Sequence, residues 1–176
     1  FACIIQPWNE PLQNSIQTLE EGISRGIESG NFTYACLDAV HSCPAAIYSG
    51  RQLSEVYDRI RKNLEIISLL KQPYFIGLLL NYLFTIQHLT TIECTDLTSE
   101  FDDRFWVESA VNTEDYHGLS IHYVTRLMCH YIMDEEMVKE YSLDVLQYNS
   151  AIQGSFAYPV SLFYSSLALL RYYDIK

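Results

Sequence analysis

Apolar side chains recur at steps of three and four along most of the chain, which is the spacing of one face of an α-helix. The clearest stretch follows Gly50, with apolar residues at Leu53, Val56, Tyr57, Ile60, Leu64, Ile67 and Leu70. The same spacing predicts a first helix from Pro11 to about Gly30 and a second from Asn31 to near Gly50. Pro44 lies inside the second helix, so we expect a kink or a break there, because proline removes one backbone hydrogen bond.

The junctions between these helices carry residues that close helical hairpins. Gly30 and Gly50 each stand just past a predicted helix, where a left-handed backbone conformation caps the helix end. Asn31 is a favourable N-cap for the second helix, and we expect Phe32 to be buried. A tetratricopeptide-type helix pair has a small residue at its turn, an aromatic residue two positions later and small residues along its second helix. The matching positions, with the following turn, are Gly30, Phe32, Ala35, Ala39 and Gly50.

The second half of the chain repeats this pattern after one interruption. Apolar residues point in every direction from Pro73 to Leu89, which predicts a buried helix. Residues 90–112 are rich in Thr, Ser and carboxylates and predict an acidic loop with a short helical turn. Three further helices are predicted, beginning at Thr113 or Asp115 with Thr113 as the cap, at Asp134, and after Pro159.

The helix that opens with Asp134, Glu135 and Glu136 places carboxylates where the helix dipole favours them, and its pattern predicts that Met137 and Leu146 are buried. Taken in order, the elements predict an all-α fold over one domain, residues 1–176. We expect about three or four antiparallel helix pairs, stacked as a tetratricopeptide-like right-handed superhelix.

Composition and charge narrow the classes of partner. The chain has 22 acidic and 11 basic residues, and its net charge of −11 repels phosphate backbones and anionic membrane surfaces. The most apolar run, residues 74–86, is shorter than the roughly 20 residues that span a bilayer, so we expect neither nucleic-acid binding nor membrane insertion.

The first residue is Phe1 rather than Met, which indicates a segment cut from a longer chain. The 5 cysteines include no C-x-x-C pair and predict reduced thiols in a cytoplasmic protein.

Basic side chains concentrate on the third helix. Five of the 11 lie within residues 51–71, and Arg59, Arg61 and Lys62 form a candidate interaction surface for an acidic partner or helix. The alternative is a solvated helix face on which these cations pair with neighbouring carboxylates such as Glu55 and Asp58. The sequence alone leaves both open.

No stretch carries a recognisable catalytic, nucleotide-binding or metal-binding motif. His117 and His122 are five positions apart and project about 140° from each other on a helix, so they cannot share a metal. We therefore predict no catalytic, cofactor-binding or metal-ligating residue and no cofactor. A helical enzyme would require His117, His122 or Cys129 to converge with carboxylates in one cleft.

Two stretches carry a family resemblance. Residues 30–35, GNFTYA, match a G-[DN]-x-x-[YF]-A turn, and residues 163–170, FYSSLALL, match an F-Y-x-S-L-A-L-L run. Over most of its length the chain resembles the tetratricopeptide-like helical segment of large multi-sensor hybrid kinases. Those proteins join a serine/threonine kinase, a STAND-type AAA ATPase, a GAF sensor and a histidine kinase. Residues 92–112 depart from the family's pattern.

The resemblance implies a non-catalytic scaffold or regulatory linker in signal transduction, including two-component signalling. The kinase and ATPase sites would lie elsewhere in the parent chain, and the partners would be its flanking domains or another protein. The alternative is a small-molecule effector-sensing helical module of a STAND-type regulator. That alternative predicts a closed pocket between helix pairs, lined by tyrosines.

Overall fold

The computed structural model describes residues 1–90, 102–134 and 136–172, and the predicted all-α fold is confirmed over these residues, which contain no strand. Consecutive helices pack in pairs. The helices are α1 (Leu12–Glu28), α2 (Phe32–Tyr48), α3 (Leu53–Leu69), α4 (Pro73–Leu89), α5 (Asp103–Asn112), α6 (Tyr116–Ile132), α7 (Val138–Tyr148) and α8 (Ala157–Tyr172). Short 3-10 segments occupy Gln6–Trp8 and Asn149–Ile152.

The chain divides into two compact units, Phe1–Ile86 and Gln87–Lys176, and the single helical-repeat domain over residues 1–176 stays a prediction. The division falls inside α4 and coincides with no linker composition. In the N-terminal unit α1 and α2 pack very closely, because a Cβ atom added to Gly26 would lie 2.9 Å from the Cβ of Ala35. Ala35 and Ala39 are fully buried at this contact. Phe32 is 41% exposed, so the expectation that it is buried was wrong.

The turns of the N-terminal unit have the left-handed geometry that the glycines predict. Gly30 and Gly50 have φ values of 74° and 77°. Asn31 is the N-cap residue of α2, but its side chain makes no capping hydrogen bond. The helix α2 is not broken at Pro44 and continues to Tyr48. Residues 42–46 are all buried, so packing on the surrounding helices outweighs the loss of one backbone hydrogen bond.

In the C-terminal unit, part of the predicted acidic loop is helical. Residues 103–112 form α5, which begins because the Asp102 carboxylate accepts a hydrogen bond from the Phe105 backbone N–H at 3.0 Å. Residues 91–101 lie outside the described residues. The cap of α6 is Asp115, which accepts from the Gly118 N–H at 3.0 Å, whereas the predicted cap Thr113 ends α5.

The last two helices differ from prediction at their starts. α7 begins at Val138 rather than at the acidic run, and Met137 and Leu146 are 40% and 43% exposed instead of buried. α8 begins at Ala157, so Pro159 falls in its first turn, where a missing N–H costs nothing. The predicted continuation of α8 beyond Tyr172 and residue Glu135 lie outside the described residues. The core that joins these helices consists of Val124, Leu127, Val138, Val145, Ile152 and Ala168.

Candidate functional site

A groove of about 510 Å³ runs between α1 and α3 in the N-terminal unit. One helical stripe of each helix lines it, since the α1 positions are three or four residues apart and the α3 positions likewise. The lining residues are Glu20, Ile23, Ser24 and Ile27 from α1 and Glu55, Asp58, Arg59, Lys62, Asn63 and Ile66 from α3.

One ion pair crosses the groove. The Arg59 guanidinium lies 2.6 Å from the Glu20 carboxylate, and the Arg59 side chain is only 24% exposed. Because Ile27 and Ile66 each lie seven positions beyond this pair, the two helices run alongside each other in the same direction through the groove. Arg59 is thereby engaged within the chain, which leaves a different basic residue for a partner.

The charges of the groove are divided between its two ends. Glu55 and Asp58 lie on the α3 turns near the Glu20–Arg59 pair, and both are exposed. Lys62 is exposed and lies one turn further, close to the apolar residues Ile23, Ile27 and Ile66. One end of the groove is therefore acidic, and the other end is apolar with a single ammonium group.

Buried hydrogen bonds hold the floor of the groove. The Asn63 side-chain amide donates to the Ala39 carbonyl at 2.8 Å and to the Ser42 hydroxyl at 2.9 Å, which ties α3 to α2. Cys43 lies at the same point, and burial raises the pKa of its thiol to about 11, so the thiol is protonated at neutral pH. The floor is a rigid structural element with a protonated, inaccessible thiol.

The predicted interaction residues Arg59, Arg61 and Lys62 do not act as one surface. Arg59 and Lys62 line the groove, whereas the guanidinium carbon of Arg61 lies 5.9 Å from the ring centroid of Tyr57. Helical geometry explains the split, because position 61 is about 100° from position 62 around the helix. Arg59 and Lys62 therefore lie on one face of α3 and Arg61 on another, and an interaction role for them stays a prediction.

The C-terminal unit contains a second polar cluster between α5 and α6. The Arg126 side chain is 1% exposed, and its Nη2 atom lies 2.5 Å from Oδ1 of Asp103. Nδ1 of His122, one turn earlier on α6, lies 3.7 Å from the same carboxylate oxygen. Asp103 therefore provides the counter-charge that a buried guanidinium requires.

Within this cluster His122 is neutral at pH 7. Burial, reinforced by the positive charge of Arg126 and opposed by Asp103, lowers the pKa of His122 to about 4. The contact between His122 and Asp103 is thus not an ion pair at neutral pH. The ring packs at 5.5 Å and 27° against Trp106 and at 5.0 Å against Tyr123.

Sequence reasoning did not find the cluster of Asp103, His122 and Arg126, because its members are 19 and 23 positions apart and meet only when α5 packs on α6. The one local signal is Arg126 itself, a charged residue in an otherwise apolar helical pattern. His117 and Cys129 also lie on α6, but five and seven positions from His122, so the helix rise separates each from it by at least about 7 Å. His122 and Cys129 are 2% and 1% exposed.

A cavity of about 350 Å³ lies beside the α6 start and the α7 end. It is lined by Tyr116, Gln147, Tyr148, Ser150 and Ala151. The rings of Tyr116 and Tyr148 are 6.2 Å apart and nearly parallel at 21°. Tyr116 is 52% exposed, so this cavity opens to solvent, unlike the closed pocket that an effector-sensing module predicts.

Two further observations concern metals and membranes. Among residues 1–90, 102–134 and 136–172, no three His, Cys, Asp or Glu side chains approach closely enough to hold a metal ion. Within the same described ranges, every helix is too short or too polar to cross a lipid bilayer. The described cysteines, Cys3, Cys36, Cys43 and Cys129, form no disulfide, and Cys94 lies outside the described residues.

Comparison of the chain with protein-family models, with curated proteins and with solved structures found no match.

Proposed function

We propose that the chain is a non-catalytic helical-repeat scaffold or regulatory linker that binds a protein segment in the groove between α1 and α3. The observation that carries this proposal is the groove itself, about 510 Å³ in volume, with apolar side chains at one end and unequal charges along its length. A groove of this form suits an amphipathic segment, whose apolar side chains enter while its polar side chains meet the charged rim.

The side chains of the groove define the chemistry of that segment. Ile23, Ile27 and Ile66 provide contact for one or two large apolar side chains, and Lys62 beside them favours a carboxylate on the segment. Glu55 and Asp58, further along, favour a basic residue. From Glu20 to Ile27 the groove follows two turns of α1, or roughly 10 Å, which matches two turns of a bound helix.

The family resemblance supplies the context of the proposal. In a multi-sensor signalling kinase the bound segment would come from a flanking domain of the same cytoplasmic chain or from a regulator. The His122 cluster is compatible with this role, because Arg126 and Asp103 neutralise each other and His122 is neutral and 2% exposed. In this proposal the active sites belong to other domains, and binding of a segment in the groove changes the positions of those domains.

A peptide selection tests the proposal directly. A display library of random 12-residue peptides is selected on the purified chain, and dissociation constants of the selected peptides are measured by fluorescence anisotropy. We expect peptides that combine apolar residues with a carboxylate. Lys62→Glu should weaken their binding at least about tenfold, or about 1.4 kcal/mol, because it replaces an attraction with a repulsion.

Arg61→Glu is the matched control, since it makes the same charge change one position away on a different face of α3. It should leave the dissociation constant within about twofold. Ile27→Asp provides a second groove variant, and because Ile27 is 39% exposed the change should be tolerated by the fold. Equal binding by wild type, Lys62→Glu and Ile27→Asp would show that the groove is not the binding site.

A second candidate function is effector sensing, favoured by the tyrosine-lined cavity of about 350 Å³. Two parallel aromatic rings with a neighbouring amide and hydroxyl suit a small planar molecule with polar substituents. Thermal unfolding against a panel of nucleotides and metabolites separates the two candidates. A ligand at a hundredfold excess over its dissociation constant adds about 3 kcal/mol, and Tyr148→Ala should abolish that shift if this cavity is the site.

A further inference from the structure

The cavity beside the α6 start and the α7 end is bordered by tyrosine rings that the fold holds in place. The Tyr148 ring packs parallel to that of Tyr123, with centroids 5.5 Å apart and an interplanar angle of 6°, and it also stacks with Tyr116. The Ser120 hydroxyl lies 2.8 Å from the Tyr116 carbonyl and 2.5 Å from the Tyr148 carbonyl. One donor therefore joins the backbones of both lining tyrosines, while Tyr116 remains 52% exposed to solvent.

The stretches that form this cavity contain carboxylates but no lysine or arginine. All the lining residues fall within residues 105–125 and 140–170. Burial lowers the pKa of His117, so this neighbour of Tyr116 is neutral at pH 7. Arg126 lies ten positions beyond Tyr116, about 15 Å along α6, and is neutralised within its own cluster. The carboxylates of the two stretches are those of Glu108, Glu114, Asp115, Glu140 and Asp144. The local charge therefore favours a cation over an anion.

One of these carboxylates lies beside the tyrosine rings. Asp144 is four positions before Tyr148, on the same face of α7. It is close to Tyr123, because burial and then the charge of Asp144 are the main causes that raise the pKa of Tyr123 to about 12. Within the part of the chain that the structure describes, Asp144 forms no ion pair and accepts no hydrogen bond. Burial, followed by the Glu140 charge, raises the pKa of Asp144, so a cation beside it would stabilise its ionised form.

We infer that this cavity binds a small planar cation of the guanidinium type, which stacks on the tyrosine rings and is balanced by the Asp144 carboxylate. A guanidinium stacks on aromatic faces and pairs with a carboxylate through two parallel N–H groups. Gln147 and Ser150, which also line the cavity, offer a carbonyl and a hydroxyl oxygen to its remaining N–H groups. The volume of about 350 Å³ is at the lower end of the range for ligand cavities. This inference rests on the effector-sensing candidate above and assigns a charge to the effector.

Pairs of molecules with the same shape and different charge test the inference. N-propylguanidinium is a cation at pH 7, whereas N-propylurea is its neutral isostere. Their dissociation constants are measured by NMR titration of the purified chain, and we expect the guanidinium to bind at least about fivefold tighter. N-acetylarginine methylamide and its citrulline counterpart repeat the comparison on a peptide backbone. Tighter binding of the arginine compound than of propylguanidinium assigns the cation to a protein segment, and equal or weaker binding assigns it to a free molecule.

Substitutions place the cation in this cavity. Tyr116→Ala should weaken binding of propylguanidinium at least about fivefold, and the fold should tolerate it because Tyr116 is half exposed. Tyr116→Phe keeps the ring and should bind within about twofold of the wild type. Asp144→Asn should weaken binding of propylguanidinium but not of propylurea. Asp58→Asn, the same change at the acidic end of the groove, is the matched control and should alter neither.

The outcomes separate this inference from the candidate function on which it rests. Propylurea that binds as tightly as propylguanidinium, and loses affinity in Tyr116→Ala, would overturn the cation while leaving a sensing cavity. Binding of neither molecule would overturn both. Propylguanidinium binding that Asp58→Asn weakens, and that Asp144→Asn and Tyr116→Ala leave unchanged, would place the cation in the groove and overturn the inference.

Discussion

The neutral imidazole of His122 shows how a single buried residue couples stability to pH. An unfolded histidine has a pKa near 6.5, whereas burial lowers the pKa of His122 to about 4 in the folded chain. Between these two values the unfolded state binds a proton that the folded state excludes. Above about pH 6.5 the proton binding of His122 therefore takes nothing from the free energy of unfolding. As the pH falls from there toward 4, protonation of the unfolded state lowers the free energy of unfolding progressively.

We expect the free energy of unfolding to fall by up to about 3 kcal/mol from this residue alone between pH 7 and pH 4. His122→Phe keeps an aromatic ring against Trp106 but removes the titrating group. Urea unfolding of both proteins across this range isolates the effect, because the carboxylates are common to both. The wild type should lose more stability than the variant, and parallel pH profiles would show that His122 is protonated as readily when folded as when unfolded.

Only part of this cluster can be predicted from the sequence at the scale of single residues. A charged residue at an apolar helical position, Arg126, signals that a counter-charge must lie nearby. The residues around Asp103 do not identify it as that partner, because the contact depends on α5. The acidic composition of residues 90–112 predicted a loop there instead of this helix. The Asp102 cap, which starts α5, is a single carboxylate among many and stands out only once the helix is known.

At the scale of helices, the structure depends on a recurring left-handed turn. Residues with positive φ follow α1, α2 and α3 at Gly30, Gly50 and Lys71, at intervals of about 20 positions. All three turns have the same pair of backbone hydrogen bonds to the end of the preceding helix. Glu114 and Asp134 continue the series in the C-terminal unit. Glycine predicts the first two turns. Lys71, Glu114 and Asp134 adopt the same positive φ although their side chains disfavour it, and backbone hydrogen bonds to the preceding helix hold these turns.

This series gives a matched pair of backbone substitutions. Lys71→Gly should stabilise the chain by up to about 1 kcal/mol, because a side chain at φ 55° is strained and glycine is not. Gly30→Ala should destabilise it by about 1–2 kcal/mol for the same reason. A Cβ atom added at Gly30 contacts nothing within 4 Å, so steric clash does not contribute. Urea unfolding measures both, and shifts of the same sign would contradict the explanation.

At the scale of the whole molecule, the hydrophobic pattern predicts the all-α class and most helix positions, since both depend on local periodicity. It does not predict the division into two units. That division lies inside α4, and the nearest glycine, Gly77, lies nine positions before it, so no turn residue or charged linker marks the boundary. The groove can be predicted only in part: the basic run lies on α3 and helical geometry separates Arg61 from Lys62, but only the packing of α1 shows which face of α3 lines a groove.

The charges of the groove give a salt prediction for the whole molecule. Peptide binding in the groove relies on Lys62 and a carboxylate on the peptide, so raising the salt from about 20 to 300 mM should weaken it several-fold by screening their attraction. Fluorescence anisotropy measures the dissociation constant across the salt series, with Lys62→Gln as the control that should reduce the salt dependence. Peptide binding that does not weaken as salt is added would contradict the role assigned to Lys62, because the apolar contacts with Ile23, Ile27 and Ile66 are not screened by salt.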